Sequence, residues 1–319
     1  MMGIRVLKAG LLTTVQDLGR TGYKKDGIIV NGAMDTLALQ IGNLLLGNDR
    51  AEAGLECTLM GPKLMFEQDQ LIAVTGGDLS PMVDDVAVKM WRPLLISKGS
   101  VLSFGAAVSG CRAYISVSGG FDLPVVLGSK STYLKAGFGG LDGHALKTND
   151  MLLFKRSFTA EKRNFNWSLD LRLYPDLNDA SIRVMEGPEH GWFNNNSLSA
   201  LFAEDYEISK EADRMGYRLK GAFLKPLADR QLLSTAVTFG TVQVTGSGEL
   251  ILLMADHQTT GGYPRVLQVI SADLAKLAQM QSGKKIRFKL VNLTEAREAL
   301  LLREQQIRQL KQTITFKYL

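Results

Sequence analysis

The sequence predicts a mainly β protein, built as two antiparallel β-rich domains with a few short helices. Three observations carry this reading. Short runs rich in Val, Ile, Leu and Phe recur at close intervals; Gly, Asp, Pro and Asn punctuate them; and the helical segments do not alternate with strands. A doubly wound parallel sheet needs that alternation. At 319 residues, with 45% hydrophobic and 22% charged, the chain has the length for two cores and the composition of an ordinary globular protein.

In chain order, the runs KLMF, QLIAVTGG, VAVKMW, PLLIS, VLSFG, RAYISVSGG and MLLFK read as strands of the first half. SIRVMEG, TVQVTG, ELILLMAD and KIRFKLV read as strands of the second. Two helices interrupt them. DTLALQIGNLLLGN has Asp35 placed as N-cap and Gly47 as stop, and SADLAKLAQMQSG has Ser271 and Gly283 in the same roles. A third, TEAREALLLREQQIRQLKQT, sets Ala296, Leu300, Ile307 and Leu310 near one face and reads as a docked amphipathic helix. The polar, aperiodic stretch RSFTAEKRNFNWSLDLRLYPDLNDA divides the chain, which places the domains at 1–158 and 159–319.

The net charge of +5 belongs to the tail: residues 284–319 carry nine Lys/Arg against three Asp/Glu, leaving 28 against 29 elsewhere. With no interleaved aromatics there, the basic excess reads as a solvated helix face and no nucleic-acid partner is expected. Apolar runs such as LILLMA fall far short of the ~18 residues of a membrane span. MMGIRVLKAGLL lacks the long apolar region of a signal peptide, so a cytoplasmic location is expected. Cys57 and Cys111 read as buried free thiols. His144, His190 and His257 have no ligand spacing, and no metal is expected. In GSKST, Ser129 separates the Gly and Lys that a phosphate-binding loop keeps adjacent, and Ser118 in SVSGG lacks the upstream Gly of a nucleophile elbow. AVKMW resembles a biotin-carrying hairpin around Lys89, but reads more simply as an alternating strand with the lysine in solvent.

What remains is polar clusters beside glycines. TTVQDLGRTGY holds Thr14, Gln16, Asp17 and Arg20, NGAMD adds Asn31 and Asp35, and DRMGYRL presents Arg214 and Arg218. ADHQTTGGYPR adds Asp256, His257, Gln258, Thr259 and Thr260, more polar side chains than a chain reversal requires. Each has a structural reading too: Asp17 and Arg20 fixing a turn, Asp35 capping its helix, Arg214 bridging to a carbonyl.

TVQDLGR, NGAMD, RAYISVSGG, LGSKSTY, DRMGYRL, GTVQV and ADHQTTGGYPRV follow one another along nearly the whole chain. Together they resemble the allophanate hydrolase subunit 2 family, whose module is similar to the second half of the carboxyltransferase domain of urea carboxylase. The resemblance implies two cyclophilin-like β-barrels. It also implies one component of a three-part 5-oxoprolinase, the C component, which with A-type and B-type partner proteins opens 5-oxoproline to L-glutamate. ATP is consumed by the assembled complex. Such chemistry asks for cationic and donor groups around an oxyanion. On this reading Asp17, Arg214, Arg218 and Asp256 are the candidate catalytic residues, and Gln16, Arg20, Asp35, Gln258, Thr259 and Thr260 the candidate substrate-binding ones. A biotin-dependent carboxyltransferase half and a regulatory module antagonising a kinase inhibitor are the alternatives. The chain departs from the family pattern at His144 and His257, where Arg is usual, and at Asn149, where Gly is usual and Asn tolerates the same left-handed backbone.

Overall fold

The computed structural model describes residues 3–156, 165, 167–228 and 230–318. The chain falls into two units. The first comprises Met1–Arg20, Asn31–Tyr174 and Gln306–Leu319, and the second Thr21–Val30 and Pro175–Gln305. The expected boundary at 158/159 lies outside the described residues, and the observed division comes later, at Tyr174/Pro175. Composition does not show that two segments change sides: the ten residues after Arg20 and the end of the tail helix each belong with the sequence-distant half.

The first unit holds β1 (Gly3–Lys8), β2 (Leu12–Gln16), β3 (Gly54–Thr58), β4 (Lys63–Phe66), β5 (Gln70–Asp78) and β6 (Pro81–Val83). β7 (Val86–Ala87), β8 (Pro93–Ile96), β9 (Val101–Phe104), β10 (Ser109–Val117) and β11 (Met151–Leu153) complete it. They pair into a six-stranded sheet, β11-β1-β4-β9-β6-β7, and a five-stranded one, β2-β3-β10-β5-β8. Period-2 alternation sends Ile4, Val6, Leu64, Phe66 and Leu102 of the first sheet and Leu55, Ile72, Val74, Ala113, Ile115 and Val117 of the second into one shared core.

The five-stranded sheet is buried on its other face as well, by α1 (Thr36–Leu45). Asp35 caps this helix, its Oδ1 accepting from Ala38 N at 2.9 Å, and Gly47 ends it at φ 71°. Gly42 lets helix and sheet approach, since a Cβ there would stand 2.8 Å from Ser116 Oγ and 3.0 Å from Thr75 Oγ1.

In the second unit β12 (Ser181–Glu186), β13 (Tyr206–Ile208), β14 (Gly216–Lys220), β15 (Thr235–Ala236) and β16 (Thr241–Val244) come first. β17 (Leu250–Leu253), β18 (Thr260–Gly261), β19 (Arg265–Val269) and β20 (Lys285–Leu290) follow. Seven of them close a barrel, β12-β19-β16-β17-β14-β13-β20, with β12 and β20 parallel. Ile182, Val184, Tyr206, Ile208, Tyr217, Leu219, Val242, Leu252, Leu267, Ile286 and Phe288 are buried in the second unit. The mainly β architecture with few helices is thus as expected, with ring closure in the second unit and two facing sheets in the first.

The helices differ in length from the sequence reading. SADLAKLAQMQSG forms a 3-10 turn at Ser271–Asp273 and then only α3 (Leu274–Ala278), with no side-chain cap from Ser271. α2 (Asn195–Ala203) was not expected. The tail helix α4 (Leu293–Tyr318) starts with a reciprocal cap: Glu295 N donates to Asn292 Oδ1 at 3.0 Å and Asn292 N to Glu295 Oε2 at 2.8 Å. Its buried side is Ala296, Ile307, Leu310 and Ile314, while Leu300 is 41% exposed. Lys89 is exposed and follows β7 in a loop, beyond the Asp84–Asp85 turn.

Leu55→Ala in the first-unit core is expected to cost about 2–5 kcal/mol. Leu95→Ala, at a residue 46% exposed, should shift stability by under ~0.5 kcal/mol. Urea unfolding of the two variants checks the placement of that core.

Candidate functional site

The residues singled out in the sequence gather in two clusters, one in each unit. Gln16, Asp17, Arg20 and Asp35 belong to the first; Arg214, Arg218, Asp256, Gln258, Thr259 and Thr260 belong to the second.

In the first unit, register lines up Thr14, Glu56, Tyr114 and Thr75 across β2, β3, β10 and β5 on the face covered by α1. Polar side chains in such a place must satisfy one another. Tyr114 Oη donates to Glu56 Oε2 at 2.7 Å and accepts from Asp35 N at 2.8 Å, while Met34 N donates to Glu56 Oε2 at 2.8 Å. Arg112 stands 4.0 Å from the same carboxylate, and Tyr174 Oη donates to Asp35 Oδ2. Burial above all, then the charges of Glu56 and Asp35, push the Tyr114 phenol well above its ordinary range, so it remains a donor. Asp35 is fully buried; its Oδ1 caps α1 and its Oδ2 accepts from Tyr174.

Asp17, at the end of β2, is the acceptor for a loop more than a hundred residues away. Its Oδ1 accepts from Gly19 N at 2.8 Å, Ser129 Oγ at 2.7 Å and Ser131 Oγ at 2.6 Å, and its Oδ2 accepts from Lys130 N at 2.6 Å. The GSKST segment therefore does gather donors around an anion, as phosphate-binding loops do, but the anion is the protein's own carboxylate. Lys130 Nζ is bound to Glu52 at 2.7 Å. Arg20, 1% exposed, donates to Ser131 O at 2.5 Å and lies 4.8 Å from the centre of the Phe138 ring. Gln16, also buried, donates through Nε2 to Thr14 Oγ1 and Thr132 O, and Asn31 donates to Thr132 O at 2.7 Å. Asn31 and Asn149 both take the left-handed backbone, at φ 59° and 74°, as Asn in place of Gly allows.

In the second unit, β14 pairs with β17, and the pairing continues past the strand ends through Met254 N to Met215 O at 3.0 Å and Asp256 N to Arg214 O at 2.7 Å. Across that extension Arg214 grips Asp256 with two parallel bonds, Nε to Oδ2 and Nη2 to Oδ1, each 2.9 Å. Both residues are buried. The even spacing of Arg214 and Arg218 suggests a shared face, and the structure corrects this. The turn at Asp213–Gly216 intervenes, Arg214 precedes β14, and Arg218 alternates outward to pair with Glu211 at 3.3 Å on the surface. Arg218 lines a surface recess of about 380 Å³ with Lys210, Glu211, Lys220 and Glu249.

The rest of the opening cluster forms a rim. His257 is buried, its Nδ1 bound to Gln258 O at 2.5 Å. Burial first, and then Lys24, lower its pKa, so the ring is neutral at pH 7. Lys24 comes from the segment that joins this unit, and its Nζ donates to Val237 O at 3.2 Å. Thr259 O accepts from Val237 N, and Thr260 in β18 pairs with Ala236 in β15. Gln258 and Thr259 are half-buried and Thr260 is exposed, so these three are the solvent-facing members of the set. Gly261 leaves room for the Gln243 amide, which a Cβ would meet at 2.6 Å.

Sequence reading missed Glu56, Tyr114 and Lys24. A glutamate inside the buried run GLECT was a signal for the first; nothing local announces Lys24. Among the described residues, no group of three or more His, Cys, Asp or Glu is placed to hold a metal, and no helix is long and apolar enough to cross a membrane. Cys57 and Cys111 form no disulfide and are buried, and burial raises both thiol pKa values.

Residues 26–290 match the family model for the carboxyltransferase domain, subdomain A and B. The chain belongs to this family. It is 41% identical over 297 residues to the C subunit of 5-oxoprolinase from Escherichia coli, covering 93% of this chain and 94% of that one. The corresponding C subunit from Haemophilus influenzae is 40% identical over 304 residues, covering 95% and 96%. Saccharomyces cerevisiae urea amidolyase is 31% identical over 305 residues, covering 89% of this chain but 16% of its own. The crystal structure of Kluyveromyces lactis urea amidolyase superposes with a TM-score of 0.90 at 30% identity, over 97% of this chain and 20% of that one. That of TTHA0988 superposes at 0.81 and 26% identity, over 91% and 55%. Relative to these solved structures, then, the chain spans about a fifth and about half of the length.

Two outcomes test the geometry of the second unit. Asp256→Asn removes the carboxylate that the buried Arg214 guanidinium grips and is expected to cost about 3–5 kcal/mol, whereas Arg218→Ala should change stability by under ~1 kcal/mol; thermal and urea unfolding read both. The His257 pKa is lower folded than unfolded, so its contribution is complete above the ordinary pKa near 6.5 and is lost as pH falls through the folded value. Acidification from neutral pH should therefore destabilise the native chain more than the His257→Gln variant, measured as melting temperature against pH.

Proposed function

We propose that the chain is one component of an ATP-dependent 5-oxoprolinase complex, opening 5-oxoproline to L-glutamate together with A-type and B-type partner proteins in the cytoplasm. The observation that carries this is the end-to-end match to the 5-oxoprolinase C subunit, 94% of whose length is covered, against 16% for urea amidolyase. The lactam amide is a poor electrophile, and phosphorylation of its oxygen by ATP would activate its carbon: water adds there, the C–N bond breaks with the ring nitrogen leaving as the amine to give a γ-acyl phosphate, and a second water releases phosphate and L-glutamate. In this reading Gln258, Thr259 and Thr260, the accessible groups of the second-unit rim, contact the substrate or the partner's substrate-facing loop. Asp17, Asp35, Arg214 and Asp256 act from behind by fixing backbone.

A second reading has an observation of its own. The family description and the superposition on urea amidolyase favour a biotin-dependent carboxyltransferase half acting on a carrier supplied by another chain. A regulatory module would bind a partner tightly without turnover.

The deciding experiment is ATP-dependent glutamate release from 5-oxoproline by the two partner proteins, with and without this chain. Equal rates in both would sink the proposal, and carboxylation by a biotin carboxylase and carrier only when the chain is added would install the second reading. The chain alone is expected neither to hydrolyse ATP nor to release glutamate. In the reconstituted complex Thr260→Ala should spare assembly and lower turnover by at least about fivefold, on the order of 1 kcal/mol, as read by single-turnover kinetics.

A further inference from the structure

The loop held by Asp17 is built more firmly than a connection between strands needs. Its base is buried: Ser131, Thr132, Gly139 and Gly140 are all buried, with Thr132 N donating to Val15 O and Gly140 N to Lys130 O, each at 2.9 Å. Its neck is an edge-on aromatic pair, Tyr133 and Phe138, with ring centres 5.6 Å apart and Tyr133 N donating to Phe138 O at 2.9 Å. Above the neck the chain reverses within Leu134–Gly137, with Gly137 N bound to Tyr133 O at 2.9 Å and Gly137 at φ 69°. Glycines fill the places where a side chain would collide. A Cβ at Gly139 would stand 2.1 Å from Ser131 O, one at Gly140 2.0 Å from Thr132 Oγ1, and one at Gly143 2.1 Å from Gly137 O.

All of this supports a tip turned to solvent. Leu134 is 36% exposed, and Lys135, Ala136 and Gly137 are exposed. Among the described residues Lys135 makes no ion pair. An apolar side chain and a free ammonium are thus presented side by side on a stem ordered in advance, which lowers the entropy lost when such a tip is bound.

We propose that Tyr133–Phe138 is a docking finger for a partner polypeptide whose surface offers an apolar recess edged by a carboxylate, taking Leu134 and Lys135 respectively. Asp17 and Arg20 are its positioning residues: the first ties Ser129, Lys130 and Ser131 to the end of β2, and the second seats Phe138. The identity of the partner rests on the reading of the chain as one component of a complex, given above; the chemistry of the finger does not.

The test uses the full chain and the purified A-type and B-type partner proteins as probes, with affinity measured by calorimetry. Leu134→Ser/Lys135→Glu, both at exposed positions, should leave the melting temperature unchanged and weaken binding to one probe at least about tenfold, as truncating an anchor does. That affinity should also fall with added salt for the native chain and less for Lys135→Gln. A second arm reads the stem directly. Trypsin should cut slowly after Lys135 in the native chain despite its exposure, and several-fold faster there in Asp17→Asn, with the first cleavage site identified by mass. If Asp17→Asn does not fold, Ser129→Ala, which removes one donor to Asp17, takes its place.

Binding by the native chain that the finger substitution does not weaken would overturn the docking role and leave the reading as a complex component intact. Failure of the native chain to bind either probe would overturn both. Unchanged cleavage after Lys135 in the loosened variant would overturn the positioning role of Asp17.

Discussion

One buried carboxylate organises the first unit. Asp17 receives four hydrogen bonds, three of them from a loop lying 112 to 114 positions further along. A carboxylate withdrawn from water has to be given donors in return, and a single missing one leaves the others around an under-solvated charge. The end of β2, the NGAMD segment and the Ser129–Gly143 loop are consequently fixed together. Ala33 N binds Asp17 O, and Gly32 packs so closely on Gly19 that a Cβ would meet its nitrogen at 2.8 Å. Arg20 completes the arrangement from the other side of the same turn.

The second unit solves a comparable problem with an ion pair. Where β14 and β17 run out of regular pairing, Arg214 and Asp256 lock the two turns, and the donors and acceptors match two by two. Such a pair confers little net stability over an apolar contact but makes the loss of either partner expensive. Arg265 repeats the device at Glu189, with Nη2 to Oε1 at 2.7 Å. DRMGYRL and ADHQTTGG thus meet in a buried ion pair, and the members of the set that face solvent are Gln258, Thr259 and Thr260.

Local signals read well and distant ones did not. The Asp35 cap, the Gly47 stop and the left-handed Asn149 each follow from one residue's own geometry, and each is present. The mainly β character followed from period-2 runs. β2 and β3 went unread because LTTVQ and GLECT mix polar with apolar residues on strands buried on both faces, where alternation no longer marks inside from outside. Leu300 was assigned to the docked side of α4 but is 41% exposed, whereas Ile314, beyond the segment read as the helix, is buried there. The partnership of Asp17 with Ser129 and Ser131 has no spacing rule at all, because it depends on which strand ends the topology brings together. Motif order along the chain pointed to the right family while leaving each residue's task open.

The end of α4 carries a consequence for how the molecule is made. Residues Gln306–Leu319 belong to the unit that begins at the N-terminus, and Tyr318 Oη donates to Leu45 O at 2.7 Å beside Gly47 at the close of α1. During synthesis the first unit must therefore wait, with its α1 end uncovered, until nearly the whole of the second has left the ribosome. Long-range closure of this kind slows folding and leaves apolar surface open to misassembly in the interval. The barrel, whose strands lie within 181–290, needs no such delayed contribution to its ring. Order of emergence and order of completion are thus reversed: the half that is translated first is the half that finishes last.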